Sequence, residues 1–190
     1  MADEPSVLPP AAPSDAALLA ALSAIQARGA IGEASLEHAI AHADRFVVAL
    51  PSSVRTLADL GSGGGLPGLV IAVRRPELSI TLVERRHSRA DLLSRAVHAL
   101  QLTDRVTVLA DDVRVLAERS PRSFDAVTAR SFAAPPITAR WAGRLLRTGG
   151  VLVVSEPPQE SADRWPAPLL VSAGLVDQGR DQGVRTFVRR

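Results

Sequence analysis

LADLGSGGGLPG, residues 57–68, decides how the rest of the chain is read. A β-prone lead-in, Val54 to Thr56, runs into it, and the apolar run LVIAV, residues 69–73, leaves it. Five glycines and a proline stand within residues 61–68, and an acid, Asp59, precedes the first glycine. Glycines at alternate positions let a backbone turn sharply and approach another group closely. Pro67 suits the first turn of a helix, where its missing N–H would be unpaired anyway. The stretch reads as strand, tight turn and helix, with a backbone that must touch something.

The same rhythm continues downstream. Apolar runs predict strands at 54–60, 79–84, 105–110, 124–129 and 150–155, with helical segments at about 67–75, 88–101, 112–119 and 135–147. The closing GLVDQGRDQGVRTFVRR reads as two strands joined by a turn at Asp181 to Gly183. Upstream, Ser14 can cap a helix through DAALLAALSAIQAR, ended by Gly29 or Gly32, and ASLEHAIAHADRFVVAL predicts a second, stopped by Pro51. Short apolar strands alternating with amphipathic helices mean an α/β fold, a parallel sheet covered on both faces. The expected organisation is a loose Pro-rich tail at 1–13, an N-terminal helical extension at 14–53 and the α/β domain at 54–190.

Composition narrows the function classes. At 190 residues, 46% hydrophobic, the chain fits one soluble domain, and no apolar run approaches a membrane span. The acidic, proline-rich MADEPSVLPP is unlike a secretory signal, so a cytoplasmic protein without a membrane partner is expected. With no cysteine there are no disulfides and no thiolate metal sites. All 22 basic residues are Arg; 15 of them, against 9 acids, lie in residues 55–154. That excess favours an anionic partner, although an Arg-rich solvated surface would look the same.

In a doubly wound sheet the ligand sits beyond the carboxyl ends of the strands. Those ends carry Asp59 and the glycines, then Glu84, then Asp111 and Asp112, then Arg130 and Ser131. A carboxylate at Glu84 can accept both hydroxyls of a ribose, and Asp111 or Asp112 can reach an exocyclic adenine amine. An adenosine-bearing ligand satisfies the row. Gly63, Gly65 and Gly68 match G-x-G-x-x-G, which suggests a dinucleotide with its pyrophosphate on the helix N-terminus. Asp59, Gly61, Gly63 and Gly65 match D-x-G-x-G-x-G, which places the amino-acid tail of S-adenosylmethionine over the turn. An acid just before the glycines suits that tail's ammonium and repels a pyrophosphate. Ser62 and Leu66 in the turn, Arg85 beside Glu84, and Val113 beside Asp112 complete the candidate cofactor contacts.

The runs DLGSGGGLPG, RPELSITLVERRHSRADLL and FDAVTARSFA resemble the bacterial GidB/RsmG family over roughly residues 55–155. Members of that family methylate guanine N7 in small-subunit ribosomal RNA. The resemblance implies a class I S-adenosylmethionine-dependent methyltransferase, Rossmann-like, with strand order three-two-one-four-five-seven-six and the last strand antiparallel. It implies that Asp59, Gly61, Gly63, Gly65, Glu84 and Asp112 line the donor pocket and that Arg130 lies close by as a further cofactor contact. The expected partner is ribosomal RNA or the small ribosomal subunit, and the expected state a monomer. Ser88-Arg89 stand where the family carries paired basic residues, and Ser155-Glu156-Pro157-Pro158 replaces a Lys-Gly element. The family's Asn-Leu-Thr element is absent from the N-terminal region, which reads ARGAIGEAS.

Guanine N7 already bears a lone pair, so methyl transfer to it needs placement and no general base. Arg130 is the candidate catalytic positioning residue, able to hydrogen-bond guanine O6 or a phosphate, and Arg86, Arg89 and Arg130 are the candidate substrate contacts. The acid at Glu156 keeps open a methyltransferase of the same fold acting on a small molecule. A donor-binding module without transfer activity is also compatible. His38 and His42, i and i+4 on one helix face, permit a metal pair geometrically but lack a clear third ligand, so no metal is expected.

Overall fold

A computed structural model describes residues 13–157 and 164–190. The expected tail, apart from Pro13, and Pro158 lie outside the described residues. Two helices come first, α1 (Asp15–Gln26) and α2 (Leu36–Ala49). The Ser14 and Ser35 side chains cap them by accepting from the amides of Ala17 and His38. Then follow β1 (Thr56–Leu60), α3 (Gly68–Arg74), β2 (Ser79–Val83), α4 (His87–Ala99), β3 (Val106–Leu109), α5 (Val113–Arg119) and β4 (Phe124–Ala129). The chain closes with α6 (Pro135–Leu145), β5 (Leu146–Ser155), α7 (Ala167–Ala173), β6 (Leu175–Asp181) and β7 (Val184–Arg189).

The strands form one seven-stranded sheet in the order β3-β2-β1-β4-β5-β7-β6. β1 to β5 pair in parallel, and β7 enters antiparallel between β5 and β6. Both faces of the central strands β1 and β4 and of the second half of β5 are buried, so successive residues of one strand serve opposite cores. Leu57, Val151 and Val153 pack with α1, α2, α3 and α4. Ala58, Leu152 and Val154 pack with α5, α6 and α7. Leu18, Leu22 and Phe46 of the N-terminal helices are fully buried in the first of these cores, which ties α1 and α2 to the sheet.

Two elements depart from the expected pattern. β5 begins at Leu146 rather than 150, because Thr148-Gly149-Gly150 is absorbed as an irregularity in the pairing with β4 instead of forming a free turn. α7 was not expected at all. It is only 7 residues long, opens after Pro166 and ends on the left-handed Gly174.

Asp125 fastens the entry of the sheet. Its Oδ2 accepts from the amides of Arg55 (2.7 Å) and Thr56 (3.0 Å), and its Oδ1 pairs with Arg147 Nε at 2.8 Å. The residue is 7% exposed, so removing its carboxylate would leave the amides of Arg55 and Thr56, at the entry to β1, poorly satisfied. Asp125→Ala is expected to lower unfolding free energy by about 3 kcal/mol in a denaturant titration. Ligand affinity of the folded fraction should be unchanged.

Candidate functional site

The glycine turn leaves β1 at Gly61, whose φ of +65 favours glycine. A Cβ there would lie 2.8 Å from Phe132 Cδ2, so the segment after β4 rests directly on the turn. Ser62 N–H donates to Val83 O at 2.9 Å, and Ser62 Oγ donates to Asp59 O at 3.0 Å. Glu84 then joins two loops. Its Oε2 accepts from Gly63 N–H (3.0 Å) and its Oε1 from Arg86 N–H (2.8 Å). Each carboxylate oxygen keeps a second acceptor site.

Asp59 is placed behind the turn. It is 1% exposed; Oδ1 accepts from Thr128 Oγ1 at 2.7 Å, and Oδ2 is buried without a hydrogen-bond partner among the described residues. A Cβ on Gly68 would sit 2.7 Å from that Oδ2 and 2.4 Å from Leu82 Cδ2, so only glycine lets α3 start against the carboxylate. Asp59 therefore already occupies the anion position at the start of α3, where a dinucleotide pyrophosphate would bind. Burial pushes its carboxyl from 3.8 up to about 6, against the opposing pull of Thr128, Ser62, the Gly68 amide and the Arg130 charge.

This shift has a sign that can be tested. The folded state holds the Asp59 proton more tightly than the unfolded chain, so its contribution to stability is present below about pH 4 and is lost as pH rises through about 6. The stability difference between wild type and Asp59→Asn should fall by roughly 3 kcal/mol between those limits. Denaturant unfolding at several pH values measures it; a flat difference would place Asp59 in an ordinary, hydrated setting.

Two cavities open at the carboxyl edge of the sheet. The first, about 430 Å³, is lined by Gly61, Val83, Glu84, Arg85, Arg86, Arg89, Asp112, Val113 and residues of the segment after β4. The second, about 420 Å³, is lined by His42, Arg130, Val154, Glu156, Arg164 and Trp165 among others. Ser131, Phe132 and Ala133 line both, so this short segment is the wall between them.

The expected site residues thus divide. Gly61, Glu84, Arg85, Asp112 and Val113 share the first cavity, and Gly63 is bound to Glu84. Gly65 at φ +93 continues the turn. Leu66 instead turns into the core of α1 to α4, and Ser62, 2% exposed, bonds inward. Asp111 accepts from Asp112 N–H, while Asp112 caps α5 by accepting from Arg114 N–H. Arg86 and Arg89 fall on the first cavity with Glu84, apart from Arg130 on the second. The reason is local: both arginines start α4, which follows β2, whereas Arg130 follows β4.

Arg130 is half-buried, and its Nη1 is buried without a hydrogen-bond partner among the described residues. Desolvation lowers its pKa, and the Asp59 charge opposes that. His42, considered above only for a metal, faces it from α2: its pKa is lowered by burial first, then by the charges of Arg130 and Arg45. No group of three metal-ligating side chains occurs among the described residues. Glu156 is not a bare negative charge in this cavity. Its Oε1 accepts from Trp165 Nε1 at 2.6 Å, and its Oε2 pairs with Arg164 at 3.3 Å. Neither Arg164 nor Trp165 was read as its partner from the sequence.

A sheet wound in this order, with its inserted antiparallel strand and its glycine turn over the edge of β1, is the class I methyltransferase fold. An O-methyltransferase family protein from Burkholderia thailandensis shares it with a TM-score of 0.64 at 18% identity, over 79% of this chain and 57% of that one. Cofactor-bound Rv0187 from MTB also gives 0.64, at 20% identity over 96% of this chain and 99% of that one. Within that class, the model of the GidB family, rRNA small subunit methyltransferase G, matches residues 34–162, and the chain belongs to this family. Ribosomal RNA small subunit methyltransferase G of Acidiphilium cryptum is 45% identical over 140 residues, 67% of this chain and 62% of that protein. Its namesake in Salinispora tropica is 40% identical over 118 residues, 56% of this chain and 49% of that protein. The chain spans about half the length of the curated relatives it matches.

Proposed function

We propose that this chain binds S-adenosylmethionine in the first cavity and directs its methyl group to guanine N7 of small-subunit ribosomal RNA held in the second. The observation that carries the reading is Glu84: a buried strand-end carboxylate, fixed by two backbone amides, with acceptor capacity left toward the cavity. That arrangement fits the two hydroxyls of a ribose, and Asp112 on the same cavity fits an adenine amine. The Asp59 carboxylate, buried behind the turn at the start of α3, favours a cationic amino group over the turn through its charge and disfavours a pyrophosphate. The family and the names of its relatives support ribosomal RNA as the acceptor.

Bound S-adenosylmethionine supplies an electrophilic methyl carbon on sulfonium. Transfer of that methyl to the N7 lone pair would leave the positive charge on the base and a neutral thioether, with no proton for the chain to move. The chain therefore has only to align the two reactants. The 131–133 wall separates their cavities by a single short segment, and Arg130 lines the second cavity beside it, its buried Nη1 without a hydrogen-bond partner among the described residues. The small-molecule alternative rested on an acid at Glu156. Pairing of Glu156 with Arg164 and Trp165 removes that ground.

Calorimetry with S-adenosylmethionine and NADH, followed by transfer from labelled donor to small ribosomal subunits, protein-free ribosomal RNA and small-molecule extracts, tests the reading. Donor binding without NADH binding, and label in the RNA, are expected. Label confined to small molecules would overturn the acceptor assignment.

A further inference from the structure

A third concavity, about 830 Å³, lies on the other side of α6, between α6 and α7. It follows α6 from Pro136 to Arg144, and Arg122, Arg140, Arg144 and Arg189 line it with no Asp or Glu. Three of these arginines are exposed; Arg189 is drawn inward. Its Nη1 donates to Ala173 O at 3.0 Å, and its Nε is buried without a hydrogen-bond partner among the described residues. Gly143 leaves room for it, and Gly174 lies against it. A Cβ on Gly143 would lie 2.4 Å from Ala173 O and 3.2 Å from Arg189 Nη1, and one on Gly174 would lie 3.4 Å from Nη1. Desolvation and then the neighbouring charge of Arg122 both act against the Arg189 cation. Like charges gathered without a counter-charge repel, and a bound anion relieves the repulsion.

We propose that this groove holds phosphodiesters of the RNA strand flanking the methylated base; the proposal rests on the reading that the acceptor is RNA. Position supports it. The first turn of α6 borders all three concavities: Ile137 lines the first, Thr138 the second and Pro136 the groove. A strand leaving the second cavity therefore meets the groove within one helical turn. Arg140 and Arg144 stand four residues apart on α6, about 6 Å along its axis, and Arg122 and Arg189 extend the row, so the groove suits successive phosphates of a strand. Arg140 and Arg144 lie 5.2 and 5.6 Å from the Trp141 ring centroid, which limits their freedom and leaves N–H groups available.

The test uses the full chain with Arg122→Gln, Arg140→Gln and Arg144→Gln combined. Binding to protein-free small-subunit ribosomal RNA is measured between roughly 50 and 200 mM salt. S-adenosylmethionine affinity and labelled methyl transfer are followed in parallel. RNA affinity should fall at least about ten-fold, and the log–log salt slope should become shallower by about 2 to 3. Donor affinity and the transfer rate at saturating RNA should match wild type. RNA binding unchanged in affinity and slope, in a protein that methylates RNA, overturns the groove and leaves the activity standing. A wild-type chain that neither binds nor methylates RNA overturns both. If the triple variant folds poorly, Arg122→Glu decides alone: RNA affinity should fall with donor affinity intact, and an unchanged RNA affinity overturns the proposal.

Discussion

Glu84→Ala should reduce S-adenosylmethionine affinity at least a hundred-fold. The carboxylate accepts from Gly63 N–H and Arg86 N–H, so its loss releases both loops that frame the first cavity and removes the proposed ribose acceptor. Charge-assisted hydrogen bonds contribute about 1.5–3 kcal/mol each, and two such bonds already account for a hundred-fold or more. Glu84→Gln separates the two causes. It keeps one good acceptor and the shape but loses the charge, and affinity should fall by roughly ten- to a hundred-fold. Calorimetry measures both variants. Wild-type affinity in Glu84→Gln would mean that the carboxylate serves the loops alone.

Arg130→Ala should lower the rate of methyl transfer at saturating RNA by roughly a hundred-fold, the scale of a misplaced reactant. Donor affinity should stay within a few-fold of wild type, because Arg130 lines the second cavity and not the first. The same variant should unfold no more easily than wild type, since it removes a partly desolvated cation whose Nη1 has no hydrogen-bond partner among the described residues. Arg130→Lys keeps the charge without the planar fork and should recover only part of the rate. Single-turnover transfer with labelled donor, together with thermal unfolding, checks these results. A variant that loses RNA affinity but transfers at the wild-type rate once bound would make Arg130 a phosphate anchor.

Residues 57–68 show where local chemistry suffices. Apolar period, glycine spacing and Pro67 are properties of neighbouring residues, and they determined the strand–turn–helix unit before any tertiary contact was known. The alternation around it determined an α/β sheet. Because parallel strands end on one edge, Asp59, Glu84, Asp112 and Arg130 could be named together.

Side-chain direction was not legible. Asp59 and Glu84 both close strands, yet Asp59 lies behind the turn against Thr128 while Glu84 faces the cavity. Asp125 clamps Arg55 from 70 positions away, His42 of α2 shares a cavity with Arg130, and Trp165 takes up Glu156. The sequence by itself thus determined the unit and the edge on which the ligand groups gather, since both follow from periodicity and backbone sterics. Only the tertiary structure decided which groups are neutralised and which of two cavities each one serves, because burial and charge pairing depend on segments brought together by the sheet and its covering helices.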